Sequence, residues 1–272
     1  MSAKEAVVTE LHKPARVHYR RRRVIIKGIN DLFQADLIEM IPYAKQNGGN
    51  KYILAVIDCF SKYAWAEPVK SKSAEEVTQA MEKILSTSKR IPRNLQTDNG
   101  KEFYNASFKK LMKKYQINHY STFSQIKSAI VERFNRTIKS MMYRLFSLNG
   151  NYNYTKHLRD LINTYNNTVH RTIGMKPSEV DSGNEAFLLK NIYSSVGERR
   201  DKQRFNVGDY VRISKQKTVF AKGYTPNWST EIFKITSVRK TIPYTYLLED
   251  VNKQPIQGAF YAEELQKTKY KD

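Results

Sequence analysis

The sequence predicts an α/β domain built on a mixed sheet, followed by a small β-barrel. Three observations lead there. From about residue 30 to 180, strand-type and helix-type periodicities alternate; beyond about 205, short β-rich runs follow one another, separated by Pro and Asn; and the stretch between contains the charged run Glu198-Arg199-Arg200-Asp201-Lys202. The chain has 272 residues, room for one large domain and one small one. With 40% hydrophobic residues it can bury a core in each. The expected division is a basic N-terminal arm over 1–27, an α/β core over 28–182, a linker over 183–204 and the barrel over 205–268.

Each element follows from local pattern. Phe33 to Met40 alternates as a strand. Tyr52 to Asp58 and Tyr63 to Val69 are two more, and the short turn Cys59-Phe60-Ser61-Lys62 makes them a hairpin. Ser73 followed by Glu76 is a capping-box pattern, with Val77, Ala80, Met81, Ile84 and Leu85 continuing at helical spacing. After Pro92, Asn94 to Thr97 is a short strand stopped by the turn signal Asp98-Asn99-Gly100. Phe108, Leu111, Met112 and Tyr115 mark another helix, and Ile117 to Ser121 a further strand. The stretch SAIVERFNRTIK then opens a helix with Val131, Phe134, Ile138, Met142 and Leu145 on one side. Glu132, Arg136 and Lys139 share its other side. Leu158, Leu161, Ile162 and Tyr165 define one more helix. Past the linker, Val207 to Ile213, Ile232 to Val238, Tyr244 to Glu249 and Ile256 to Tyr261 are short strands, the pattern of a small barrel. Trp228, Tyr224 and Tyr244 either expose binding faces or close its core.

Charge narrows the partner. Lys plus Arg number 47 against 26 Asp plus Glu, a net +21, with a pI near 9.8. Such a field suits polyanions, nucleic acid first among them, although a ribosomal or membrane-surface protein would share it. The block Arg20, Arg21, Arg22, Arg23 reads as a solvated arm that contacts phosphate, or as an import signal. No run of about 18 apolar residues exists, so no membrane span is expected. The opening MSAKEAVVTELHK lacks the apolar segment of a secretory signal. Cys59, the one cysteine, excludes an internal disulfide and fits a reducing compartment.

Three acids invite a chemical reading. Asp36 lies within a strand, where an ionised carboxylate is costly unless cations or donors balance it. Asp98 ends a strand at a sharp turn, and Glu132 sits on a helix beside bases. Each has a plainer account: a loop cap for Asp36, a turn for Asp98, and a surface pair with Arg136 for Glu132. Were the three to converge, their repulsion would call for a hard divalent cation with oxygen ligands.

Taken together, Phe33-Gln34-Ala35-Asp36, Gln96-Thr97-Asp98-Asn99-Gly100-Lys101-Glu102-Phe103 and Val131-Glu132-Arg133-Phe134-Asn135-Arg136-Thr137-Ile138-Lys139 resemble the DDE integrase core. That family includes retroviral and retrotransposon integrases, and the likeness is nearest to integrases of Polinton/Maverick-type DNA transposons. It covers roughly residues 10–268, including Asn163-Thr164-Tyr165-Asn166-Asn167-Thr168-Val169-His170-Arg171 at the end of the core. The 33 residues between Asp98 and Glu132 are slightly fewer than the family's habit.

The resemblance implies a ribonuclease H-like mixed sheet with flanking helices, and a C-terminal SH3-like or chromo-like barrel. It implies that Asp36, Asp98 and Glu132 hold two Mg²⁺ or Mn²⁺ ions for 3′-end processing and DNA strand transfer. Arg136, Lys139, Lys127, Ser128, Asn99 and the Arg20–Arg23 block would contact DNA. Implied partners are element ends, target DNA, further copies of the chain and chromatin, in the nucleus. Zinc is not expected, because Cys59 cannot form the thiol pair of the family's N-terminal module. Two other assignments share these features: a ribonuclease H-like nuclease that only hydrolyses, and a non-catalytic, transposon-derived DNA- or chromatin-binding protein.

Overall fold

A computed structural model describes residues 3–16, 18–21, 26–121, 129–193, 202–215, 224–268 and 270. The chain forms two units: one spans Ile25–Gly197, the other joins Met1–Val24 to Glu198–Asp272. None of the described helices is long and apolar enough to cross a membrane.

The first helix, α1 (Ala3–His12), belongs to the unit made from both chain ends. The larger unit begins with β1 (Leu32–Glu39), β2 (Tyr52–Asp58), β3 (Ala64–Val69) and α2 (Ala74–Ser88). β4 (Asn94–Thr97), α3 (Ala106–Lys114), β5 (Asn118–Ser121), α4 (Ala129–Asn149), α5 (Leu158–Asn166) and α6 (Glu185–Tyr193) complete it. Its five strands lie in the order β3-β2-β1-β4-β5. β1 to β3 pair antiparallel, whereas β4 runs parallel to β1 and β5 parallel to β4, so the sheet is mixed.

Strand alternation assigns the two faces. Phe33 and Ala35 point into a core shared with Val77, Met81 and Ile84 of α2 and Phe108 and Leu111 of α3. Ile38 and Met40 point the other way, onto Val131, Phe134, Ile138 and Met142 of α4 and Leu158 and Ile162 of α5. Each such fully buried side chain contributes about 1.5–3 kcal/mol. Only half of the expected capping box at α2 forms: Ser73 accepts the Glu76 N–H, but the Glu76 carboxylate accepts the Ser71 N–H, and the Ser73 N–H donates to the Ser71 hydroxyl instead. On α4 the apolar face ends on Phe146 rather than the expected Leu145, since Phe146 is buried and Leu145 only half so.

The second unit contains β6 (Tyr210–Ile213), β7 (Phe233–Arg239), β8 (Thr245–Glu249), β9 (Phe260–Tyr261) and β10 (Leu265–Lys267). They form an antiparallel sheet in the order β10-β6-β7-β8-β9 over a core including Val211, Phe233, Ile235, Tyr246 and Leu265. The expected barrel closure is not seen among the described residues. The outer strands β9 and β10 have two and three residues, too little ladder to join the edges.

Long-range contacts tie α1 to this sheet. The Leu11 carbonyl accepts the N–H groups of Asn227 and Trp228, and the Trp228 indole donates to the Lys13 carbonyl at 2.9 Å. Trp228 is therefore buried, Tyr244 packs on the core, and Tyr224 is exposed. The buried Arg212 donates to the carbonyls of Ser229 and Thr230 and lies 3.6 Å from the Glu10 carboxylate. Glu10 also accepts the Thr268 hydroxyl at 3.0 Å. The sequence reading, which treated residues 1–27 as a solvated arm and 183–204 as a linker, did not anticipate α1 or α6.

Candidate active site

β1 is the middle strand of the five, and its even-numbered residues meet α4. Gln34 and Asp36 stand two residues apart on that face. In the parallel ladder Gln34 pairs with Gln96; carried on by two residues, the same register sets Asp36 beside Asp98. The Gln34 amide donates to Gln96 Oε1 at 3.0 Å. Its own Oε1 accepts the N–H groups of Ile130 and Val131 at 3.1 and 3.0 Å. Those donors belong to the first turn of α4, which has no intrahelical acceptor for them. One buried side chain thus caps the helix, ties it to two strands and sets the height of Glu132.

Asp36 is half-buried. Its Oδ1 accepts the Leu37 N–H at 2.9 Å, and its Oδ2 accepts the Asn135 amide at 2.8 Å. Burial pushes its carboxyl above the ordinary carboxylate range, and the charges of Asp98 and Glu132 add to the rise. Asp98 uses Oδ1 to accept the Gly100 N–H at 3.1 Å, which holds the turn. The Thr97 hydroxyl beneath it donates to the Asp98 carbonyl and meets His119 Nε2 at 2.9 Å. Since the hydroxyl proton is committed, His119 must be the donor. Its ring packs against Tyr104 and Phe108, and burial lowers its pKa.

Glu132 is exposed on the first turn of α4, and the surface pair with Arg136 does not form. Among the described residues no ion pair engages any of the three acids. Arg136 and Lys139 are exposed and line, with Glu132, Asn135, Ser140 and Tyr143, a groove of about 430 Å³. Asn99 is exposed at the turn after β4. Arg20 is exposed and Arg21 stacks on Tyr19, both in the other unit. Arg22, Arg23, Lys127 and Ser128 lie outside the described residues.

The donor set suits a hard cation. It offers anionic oxygens whose mutual repulsion raises Asp36, and Asn135 Oδ1 is buried beside them with no donor reaching it among the described residues. As the side chains stand, no three His, Cys, Asp or Glu among those residues are gathered closely enough to grip an ion. Among the described residues Glu132 makes no ion pair that turning inward would break. Sequence reasoning missed Gln34, Gln96, Asn135 and His119. The available signals were Gln34 and Gln96 two residues before each aspartate, and Asn135 one turn beyond Glu132.

A mixed five-stranded sheet flanked by helices is the architecture of an integrase catalytic core. A chain in the simian T-cell lymphotropic virus intasome bound to PP2A regulatory subunit B56 gamma shares the fold. Its TM-score is 0.64 at 15% identity, over 98% of this chain and 91% of that one. Residues 28–124 match the Integrase core domain family. A transposon-derived protein of Caenorhabditis elegans is 37% identical over 198 residues, 73% of this chain and 67% of that protein. The Pol polyprotein of Feline endogenous virus ECE1 is 26% identical over 198 residues, 71% of this chain but 18% of the polyprotein. The chain belongs to the integrase core domain family.

Proposed function

We propose that this chain is a transposon-derived DNA integrase that trims 3′ ends and joins them to target DNA, with Asp36, Asp98 and Glu132 as its acids. The observation that carries the reading is geometric: the parallel register of β1 and β4 sets Asp36 beside Asp98, Asn135 of α4 hydrogen-bonds Asp36 from one turn beyond Glu132, and among the described residues no ion pair engages any of the three acids. Asp36 would be the ligand common to two ions, shared with Asp98 on one side and Glu132 on the other. Mg²⁺ or Mn²⁺ bound there would supply the Lewis acidity that phosphoryl transfer needs. Asn135 and the Leu37 N–H hold the Asp36 carboxylate in one orientation, and the Gln34 clamp fixes the first turn of α4, which carries Glu132. Arg136 and Lys139, one and two turns beyond Glu132, would receive the DNA phosphates.

The Polinton/Maverick assignment rests on the sequence resemblance. Assembly of several copies on DNA and a nuclear location accord with the same reading. The sheet of the second unit, with exposed Lys215, Lys234, Arg239, Lys240 and Lys253, would serve as an SH3-like or chromo-like binder of DNA or chromatin.

A strand-transfer assay tests this, using the full chain, a duplex donor with a free 3′-hydroxyl, plasmid target and Mg²⁺ or Mn²⁺. Joined product is expected from the native chain and none from Asp36→Asn, Asp98→Asn or Glu132→Gln, with DNA affinity kept. Arg136→Ala and Lys139→Ala should each reduce the salt slope of DNA binding by about 1. Joining by Asp36→Asn would end the proposal, and cleavage without joining would make the chain a nuclease.

A further inference from the structure

The α4 groove does not end at its bases. Tyr143 lines its far end, and its hydroxyl is hydrogen-bonded to that of Tyr43 at 2.9 Å. Tyr43 in turn stacks on Tyr152 with ring centroids 4.9 Å apart. Phe146, buried in the core, packs against all three rings and anchors them. Tyr143 and Tyr152 nevertheless keep 49% and 47% of their surface exposed. Past Tyr152 lies a second recess of about 400 Å³, lined by Gln46, Asn151, Asn153, Lys156 and His157. The Tyr152 N–H donates to Gln46 at 2.9 Å, which fixes the ring at the lip of that recess.

Bases, aromatic faces, then amides and a lysine form a continuous series leading away from Glu132. Lys and Arg accept any phosphate backbone, but aromatic faces discriminate. In a duplex the bases cover one another, so only an unpaired strand offers faces that a tyrosine can stack on. Amides beyond the rings can pair with base edges that no complementary strand occupies. Distance fits as well. Eleven residues of helix separate Glu132 from Tyr143, about 16 Å at 1.5 Å per residue. That is at most roughly five nucleotides, counted at the ~3.4 Å rise of stacked bases.

We propose that Tyr143, Tyr43 and Tyr152 form a stacking platform for an unpaired DNA strand lying within roughly five nucleotides of the acids. This deepens the proposed function, on which it rests, because trimming one strand of a DNA end leaves its partner unpaired.

Fluorescence anisotropy on the full chain tests it, with a chelator present so that no turnover occurs. The probes are a blunt duplex and the same duplex carrying a single-stranded extension of about five nucleotides. Native protein should prefer the extended probe. Tyr143→Leu and Tyr152→Leu, which keep apolar packing on Phe146, should cut that preference about five- to 100-fold and leave blunt-duplex affinity unchanged. Tyr143→Phe should retain it. Equal affinity of the native chain for both probes, or an unchanged preference in both leucine variants, overturns the platform. Asp36→Asn should keep the preference. A chain that stacks the extension but never joins DNA therefore refutes the proposed function alone, and one that joins DNA without the preference refutes this inference alone.

Discussion

In the larger unit, the polar groups near the acids are held by the adjoining strand and helix of one continuous segment. Gln34 bonds to the next strand and to the helix laid across it, and Asn135 reaches Asp36 from one turn beyond Glu132. In the smaller unit, the buried Arg212 faces a carboxylate supplied by the opposite end of the chain, and Trp228 is held by carbonyls of the same distant segment. Fixing within one continuous segment keeps the site independent of the chain ends. Fixing by a remote segment makes a unit conditional on that segment being present.

The largest effect should come from breaking the remote contact. Glu10→Ala leaves Arg212 buried without its carboxylate, and loss of one partner of a buried pair costs about 3 kcal/mol. Urea unfolding should show the smaller unit destabilised by that amount while the larger unit's transition stays put. Equal movement of both transitions would erase the contrast. Gln34→Leu is next. It strands two amides of the first turn of α4, at about 1–3 kcal/mol. It should also lower strand transfer by about 10–100-fold, as losses of groups supporting metal ligands do. Faster hydrogen exchange at Ile130 and Val131 would confirm the route; unchanged exchange would show the clamp to be dispensable.

The smallest effect sharpens the comparison by sign. Because burial and neighbouring acids raise the Asp36 carboxyl, the native state holds that proton more tightly than the unfolded chain. Stability contributed at Asp36 therefore falls as pH climbs through the raised value. With chelator present, Asp36→Asn should melt higher than the native chain at neutral pH, with the gap closing as pH drops into the ordinary carboxylate range. A gap that widens on acidification would contradict the assigned cause.

Much of the larger unit was legible because its signals are short-range. Ser73 with Glu76, and Val77 to Leu85 behind them, specify α2 and its buried face outright. Asp98-Asn99-Gly100 marks the turn that ends β4. Glu132, Arg136 and Lys139 could be placed together by helical period alone. The amide of Gln34 could not, since its partners lie on another strand and a helix distant in sequence. α1 was masked by the arginine block that follows it, and its meaning depends on Arg212 and Trp228. β10 and the unclosed sheet escaped notice because runs of two or three residues carry no period.

β1 bears Gln34 and Asp36 on the same side, two positions apart, while pairing with a strand on each flank. Deleting one residue between them would turn one of the pair to the opposite side of the sheet. Copies of this element that decay by insertion or deletion here would thus lose shape and reactivity at one stroke. Under the proposed function, copies that decay by point substitution at Asp36 would persist as folded, inert shells that still bind DNA and compete with intact copies for the same ends.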